Sequence, residues 1–244
     1  MTDNRVAVVI PAKDEQRRIA ATVSAASALP HVDLILVVDD GSVDRTSASA
    51  SSAGATVVRH SRNRGKAAAM ETGAAAVQLI ETREGVPARA MLFLDADLED
   101  SAAKAAPLIE PVLAGEADLT IATLPAQRTD GGGRGFVVKL ARNGIEQATG
   151  WSPVQPLSGQ RCITRAAFDA ALPLAPGFGV EVGLTIDLLR QGYRIREVEV
   201  PLHHRVTGTD WHSQVHRGRQ WLHVLRALAV RGVRPQFGRR GPQR

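Results

Sequence analysis

Short runs of aliphatic and β-branched residues, alternating with alanine-rich stretches of helical length, constrain the fold of this chain more than any other feature. The runs cover residues 6–10, 34–38, 55–59, 91–94 and 119–122, and helices are predicted over 15–28, 44–53, 66–80 and 102–113. Strand and helix alternating at this spacing build a largely parallel sheet with helices on both faces. The runs lack the polar alternation of a strand with one wet face, so both faces of the sheet should be buried. The predicted fold class is α/β, a Rossmann-like sheet, mixed but mostly parallel and flanked by helices.

In such sheets ligands collect beyond the carboxyl ends of the strands. Those ends are polar here. The first run leads into Pro11-Ala12-Lys13-Asp14-Glu15, the second into Asp39-Asp40-Gly41-Ser42, the third into Asn63-Arg64-Gly65-Lys66 and the fourth into Asp95-Ala96-Asp97. Four polar ends on one edge look like a site.

The second half changes character. Residues 125–135 (PAQRTDGGGRG) should form a mobile loop, followed by a helix over 136–149 and a strand over 159–164. A helix over 180–191, a strand over 194–200 and a loop over 201–212 come next. Ser213 can cap a final amphipathic helix reaching about residue 231, with Trp221, Leu222, Leu225 and Leu228 on one face.

Composition removes several classes. Aromatic residues make up 4% of the chain, too few for the stacking platforms of single-strand nucleic-acid binders. Cys162 is the only cysteine, so an internal disulfide or a multi-cysteine zinc site is excluded, and a packed core thiol is expected. The start, MTDNRVAVVI, lacks the basic flank and long apolar run of a secretory signal, and no apolar stretch approaches the ~20 residues of a membrane span. These features read as cytoplasmic. The net charge of +5 is uneven: residues 211–244 hold eight Arg and no acid, leaving −3 for the rest. That segment can hold an anionic partner or rest on the inner membrane surface, or it is simply a solvated terminus.

Asp95 and Asp97 would repel each other unless a cation or hydrogen-bond donors neutralise them. A hard divalent cation takes oxygen ligands and bridges phosphate oxygens, although Asp-x-Asp also occurs in ordinary turns. Asp40, at the end of the second strand, suits a nucleoside contact, with Asp39 structural. Gly65-Lys66 opens a helix whose free N–H groups and dipole favour an anion. The Gly131–Gly135 cluster is out of place for a dinucleotide fingerprint and fits a loop that orders over substrate, with Arg134 on a phosphate. Of the neighbouring His203 and His204, at most one can face a metal from an extended segment.

These motifs together resemble the nucleotide-sugar half of GT-A glycosyltransferases of family 2. The resemblance is strongest to the glucosyl-3-phosphoglycerate synthases. It continues through GGGRG (131–135), VQPLSGQR (154–161), GFGVEVGLTIDLL (177–189) and HHR (203–205), covering about residues 5–210. It implies uridine contacts from Pro11, Ala12, Glu15 and Asp40, with Lys66, Asp95 and Ala96 also on the nucleotide-sugar. It implies Mg²⁺ or Mn²⁺ held by Asp95 or Asp97 together with His204, and UDP-glucose as donor. Leu157, Ser158 and Gly159 would face the transferred sugar and Glu181 would shape its pocket, so Asp97, Glu181 and Leu157 form the expected catalytic group. Arg134, Gly159 and Arg205 would bind the phosphorylated acceptor.

The expected organisation is one domain over 1–232, with a nucleotide-sugar half at 1–123, an acceptor half at 124–232 and a flexible basic tail at 233–244. No nucleic-acid partner is expected, and a homodimer is compatible with the sequence. Departures fall in the acceptor half: Phe136 stands where the synthases have a phosphate-bonding Thr, and Val206 where they tend to have Asn. Arg205-x-x-Gly208 instead resembles polyprenyl-phosphate sugar synthases, and the basic C-terminal helix could lie on a membrane. If the acceptor is a hydroxyl and the reaction inverts, Glu181 or Asp210 would be the base; the synthase resemblance implies retention. Two other classes remain open: a sugar nucleotidyltransferase, disfavoured by Pro-Ala-Lys-Asp-Glu after the first strand, and a non-catalytic UDP-binding module.

Overall fold

The computed structural model describes residues 4–123, 134–201 and 211–233, with the side chains of Arg134, 211–217 and Arg219 outside that description. Seven strands form one sheet: β1 (Val6–Ala12), β2 (Val32–Asp39), β3 (Thr56–Arg59), β4 (Ala90–Phe93), β5 (Leu119–Thr123), β6 (Arg161–Ile163) and β7 (Ile195–Glu199). Their order is β3-β2-β1-β4-β6-β5-β7. Strand β6 runs antiparallel to both neighbours, with Cys162 opposite Leu92 on one side and Thr120 on the other. All other pairings are parallel. The mixed, mostly parallel α/β sheet expected from the sequence is the fold observed.

Both faces of β1 are buried, and its side chains alternate between two cores. Val6, Val8 and Ile10 pack with α1 (Ile19–Ser27) and the 3₁₀ segment Glu99–Leu108. Ala7 and Val9 pack with α3 (Lys66–Glu84), α6 (Arg165–Ala170) and α7 (Val180–Arg190). Such two-sided burial explains the unbroken apolar run: each buried Val or Ile contributes about 1.5–3 kcal/mol, and a polar residue on either face would forfeit it. Helix α3 lies close because it presents small residues; a Cβ on Gly73 would sit 2.4 Å from Val9 Cγ1. A third core joins α5 (Arg134–Thr149), α7 and α8 (Trp211–Val230). No described helix is long and apolar enough to cross a membrane.

Several predicted boundaries shift. The helix expected over 102–113 is a 3₁₀ segment at Glu99–Leu108 followed by α4 (Glu110–Leu113). Pro107 explains the break, since its ring removes an N–H donor and clashes with the preceding turn. Helix α2 (Thr46–Ser52) begins later than expected, with Asp44 Oδ1 accepting from the Thr46 amide at 3.0 Å. Helix α6 was not anticipated; Thr164 caps it by accepting from the Ala167 amide at 3.2 Å. Helix α8 starts at Trp211, so Ser213 lies inside it and is not its cap. Leu222 faces outward at 57% exposure, and the buried stripe of α8 is Val224, Ala227 and Leu228. The loop expected over 125–135 lies outside the described residues except for Arg134 and Gly135, which open α5.

Candidate active site

The carboxyl ends of β1, β2 and β4 share one edge of the sheet, and antiparallel β6 brings its beginning to the same place. Residues immediately before β6 therefore meet residues immediately after β4. Gln160 donates from Nε2 to Asp95 Oδ2 at 2.5 Å, and its own Oε1 accepts from the Ser158 hydroxyl at 3.2 Å. From the other side Lys66, the first residue of α3, places Nζ 2.8 Å from Asp95 Oδ1 and 3.1 Å from Glu181 Oε1. Burial alone would lower the Lys66 pKa, but the carboxylates of Asp95 and Glu181 outweigh it and hold the ammonium above its ordinary value.

Gly159 lies over this cluster. A Cβ there would come within 2.5 Å of Lys66 Nζ and 2.8 Å of Asp95 Oδ1. Only glycine lets the backbone come this close. Below it, Arg161 is buried and donates to neutral oxygens: Ser158 O at 2.8 Å, Pro156 O at 3.2 Å, Glu181 O at 3.1 Å and Thr185 Oγ1 at 3.0 Å. Burial pulls its pKa down to about 10, against the fields of Glu181 and Glu197. One guanidinium thus ties the loop carrying Leu157 and Ser158 to the first turn of α7, where Glu181 sits.

Asp97 is half-buried and, among the described residues, its carboxylate has no hydrogen-bond or ion-pair partner. The turn carrying it is held by Thr22, whose hydroxyl donates to Ala96 O at 2.9 Å and accepts from the Glu99 amide at 2.8 Å. Glu15 approaches from the end of β1 and pairs with Arg18 at 2.6 Å. Desolvation raises the Glu15 pKa, Arg18 opposes this and the charge of Asp97 adds to it. Asp95 and Asp97 supply hard oxygen donors suited to Mg²⁺ or Mn²⁺. No set of three metal-ligating side chains occurs among the described residues; His204, the expected third ligand, lies outside them.

Asp40 is 5% exposed and its oxygens are already engaged. Oδ1 accepts from His60 Nδ1 and the Arg64 amide, both at 2.7 Å, and Oδ2 accepts from the Gly65 amide at 2.7 Å. Asp39 is buried and accepts from the Ser42 amide at 2.8 Å and from the Ser47 hydroxyl. Pro11 is half-buried and Ala12 buried, with the Ala12 carbonyl accepting from the Asp40 amide at 2.8 Å. The structure thus joins Lys66, Asp95, Gly159 and Glu181 directly and places Glu15, Ala96, Asp97 and Leu157 around them. The side chain of Arg134 and all of Arg205 lie outside the described residues. Gln160 and Arg161 close the VQPLSGQR motif (154–161) but were given no role from sequence, and His60 was not singled out at all.

Residues 7–168 match the family model for glycosyl transferase family 2. The chain belongs to that family. Glucosyl-3-phosphoglycerate synthase of Mycobacterium tuberculosis (strain H37Rv) is 31% identical over 198 residues, 75% of this chain and 60% of the relative. The Mycolicibacterium smegmatis synthase is 30% identical over 198 residues, 75% of this chain and 63% of its own. This chain therefore spans about 60% of the length of such curated relatives. The crystal structure of the M. tuberculosis enzyme with Mn²⁺, UDP and phosphoglyceric acid superposes with a TM-score of 0.74 at 27% identity, covering 93% of this chain and 78% of that one. A second structure of that enzyme, with Mn²⁺ and UDP-glucose, gives a TM-score of 0.73 at 28% identity, covering 94% and 80%. The fold is GT-A.

Proposed function

We propose that this chain is a metal-dependent glycosyltransferase that moves glucose from UDP-glucose to a small phosphorylated acceptor such as 3-phosphoglycerate. The observation that carries this reading is the Lys66–Asp95–Glu181 cluster beneath Gly159. It unites a cation, two acids and a closely approaching glycine backbone at the edge where this fold binds ligands. Support comes from the M. tuberculosis enzyme, whose solved complexes contain Mn²⁺, UDP-glucose and phosphoglyceric acid.

In this reading Asp95 and Asp97 hold Mg²⁺ or Mn²⁺, which when bound supplies electrophilic stabilisation of the departing diphosphate. Lys66 adds a second positive charge on the same phosphates. Backbone groups at Leu157–Gly159 orient the sugar, and Gly159 leaves it room. The bond from the glucose anomeric carbon to UDP breaks and a bond to the acceptor hydroxyl oxygen forms. Glu181 is engaged by Lys66 and is a poor candidate for the proton acceptor. The departing phosphate oxygen is the better one, which fits retention of anomeric configuration.

An acceptor screen tests the proposal. Purified chain, Mn²⁺ and radiolabelled UDP-glucose are incubated with 3-phosphoglycerate or with polyprenyl phosphate in detergent micelles. A labelled, water-soluble phosphorylated glucoside is expected. Labelled lipid would redirect the proposal to a membrane acceptor. Donor binding without turnover on either would sink the enzyme reading.

A further inference from the structure

His60 follows the last residue of β3 and is buried. Its ring spans the gap between the end of β2 and the second turn of α3: Nδ1 meets Asp40 Oδ1 at 2.7 Å and Nε2 meets Thr72 Oγ1 at 2.9 Å. A carboxylate only accepts, so Nδ1 carries the proton. Asp40 then holds the amides of Arg64 and Gly65, the two residues immediately before Lys66. Residues 61–64 are themselves exposed, and Gly65 sits at φ 89° as the N-cap of α3 without a side-chain cap bond. The inward anchor of this bend is therefore Asp40, and the imidazole sets the angle of its carboxylate.

We propose that His60 is a positioning residue of the donor site: it orients Asp40 so that the carboxylate captures the Arg64 and Gly65 amides and seats Lys66 against Asp95 and Glu181. This rests on reading Lys66 as a diphosphate ligand. The relay has a simple physical basis. A lysine side chain has four rotatable bonds, so the position of Nζ depends on where the backbone delivers Cα, and small displacements at a binding centre are costly. Anchoring the two preceding amides fixes that point, and anchoring Asp40 through a buried ring fixes the anchor.

Calorimetry with UDP and Mn²⁺ tests the relay, alongside KM and kcat for UDP-glucose and hydrogen exchange of residues 62–66. His60→Leu should weaken UDP binding at least about tenfold and speed exchange of the Arg64 and Gly65 amides. The loss should fall on KM for the donor more than on kcat. His60→Asn, whose amide N–H can replace Nδ1–H, should recover to within about threefold of the parent. In a Lys66→Ala background His60→Leu should add less than about a twofold loss, because both act through one group. Should His60→Leu fail to fold, Thr72→Val loosens the ring by one bond, and the same comparison with Lys66→Ala decides. Unchanged UDP affinity in His60→Leu, equal loss in the Leu and Asn variants, or full additivity with Lys66→Ala would each overturn the relay. Lys66→Ala with unchanged UDP affinity would instead overturn the site reading beneath it.

Discussion

Gln160 and Asp95 share a hydrogen bond of 2.5 Å across the junction of β6 and β4. The amide can donate to a carboxylate; a second carboxylate in its place could not. Gln160→Glu should therefore lower stability by roughly 1–3 kcal/mol near neutral pH. Crowding raises the pKa of both acids in the folded state, so the deficit should grow as pH rises through their titration and shrink towards acid. Thermal melts across pH check this. A deficit independent of pH would mean that packing, not charge, sets the contact.

Gly159 tests how closely the backbone must approach. Gly159→Ala would put a methyl group 2.5 Å from Lys66 Nζ. The lysine must move, and donor turnover should fall about 100-fold, the scale of a 1 Å misplacement at a reacting centre. The fold should survive, since the groups met, Lys66 Nζ and the Asp95 carboxylate at 2.8 Å, are side-chain ends and not backbone. Steady-state kinetics with a parallel melting curve separate the two effects.

Asp95 and Asp97 should behave differently despite their spacing. Asp97 has no side-chain partner among the described residues, so Asp97→Ala should change stability by no more than about 0.5 kcal/mol. Asp95→Ala strips partners from Lys66 and Gln160 and should cost about 1–3 kcal/mol. Both should abolish the Mn²⁺ dependence of UDP binding. A Mn²⁺ effect on calorimetric UDP affinity that persists in Asp97→Ala, or that is absent from the parent, would sink the metal assignment.

Glu15 provides a pH signature. Desolvation and Asp97 raise its pKa in the fold despite Arg18, so the folded chain binds the proton more tightly than the unfolded one. Stability is then lost as pH rises from about 4 towards neutrality, where the unfolded carboxyl is already ionised. Glu15→Gln removes this loss. The melting temperature of the variant relative to the parent should climb over that interval, and a flat difference would contradict the raised pKa.

Much of the fold was legible because its cause is local. Val6–Ala12 and the buried stretch Leu36–Val38 of β2 are apolar on both faces, so their sequence shows a central strand directly. The three-residue β6 was harder, because Arg161 is charged yet lies in the sheet interior, satisfied by four neutral oxygens that only the folded chain assembles. Asp95, Lys66 and Glu181 were visible as motif residues, whereas their mutual pairing was not, since 115 residues separate Lys66 from Glu181. His60 was invisible for the same reason. Its partners Asp40 and Thr72 come from different elements, and nothing in a lone histidine after a strand announces them.

The reversed strand has a consequence for the thermodynamics of recognition. A loop that leaves the end of a strand is tethered on one side, but Leu157–Gly159 feeds into a strand paired on both edges and is stapled beneath by Arg161. Its conformational freedom is surrendered during folding, not when ligand arrives. In the proposed reading, a sugar docking against this segment should find it nearly rigid, so calorimetry should show a small ordering penalty. Adaptation to different sugars would then proceed through side chains facing the loop, with its backbone left unchanged.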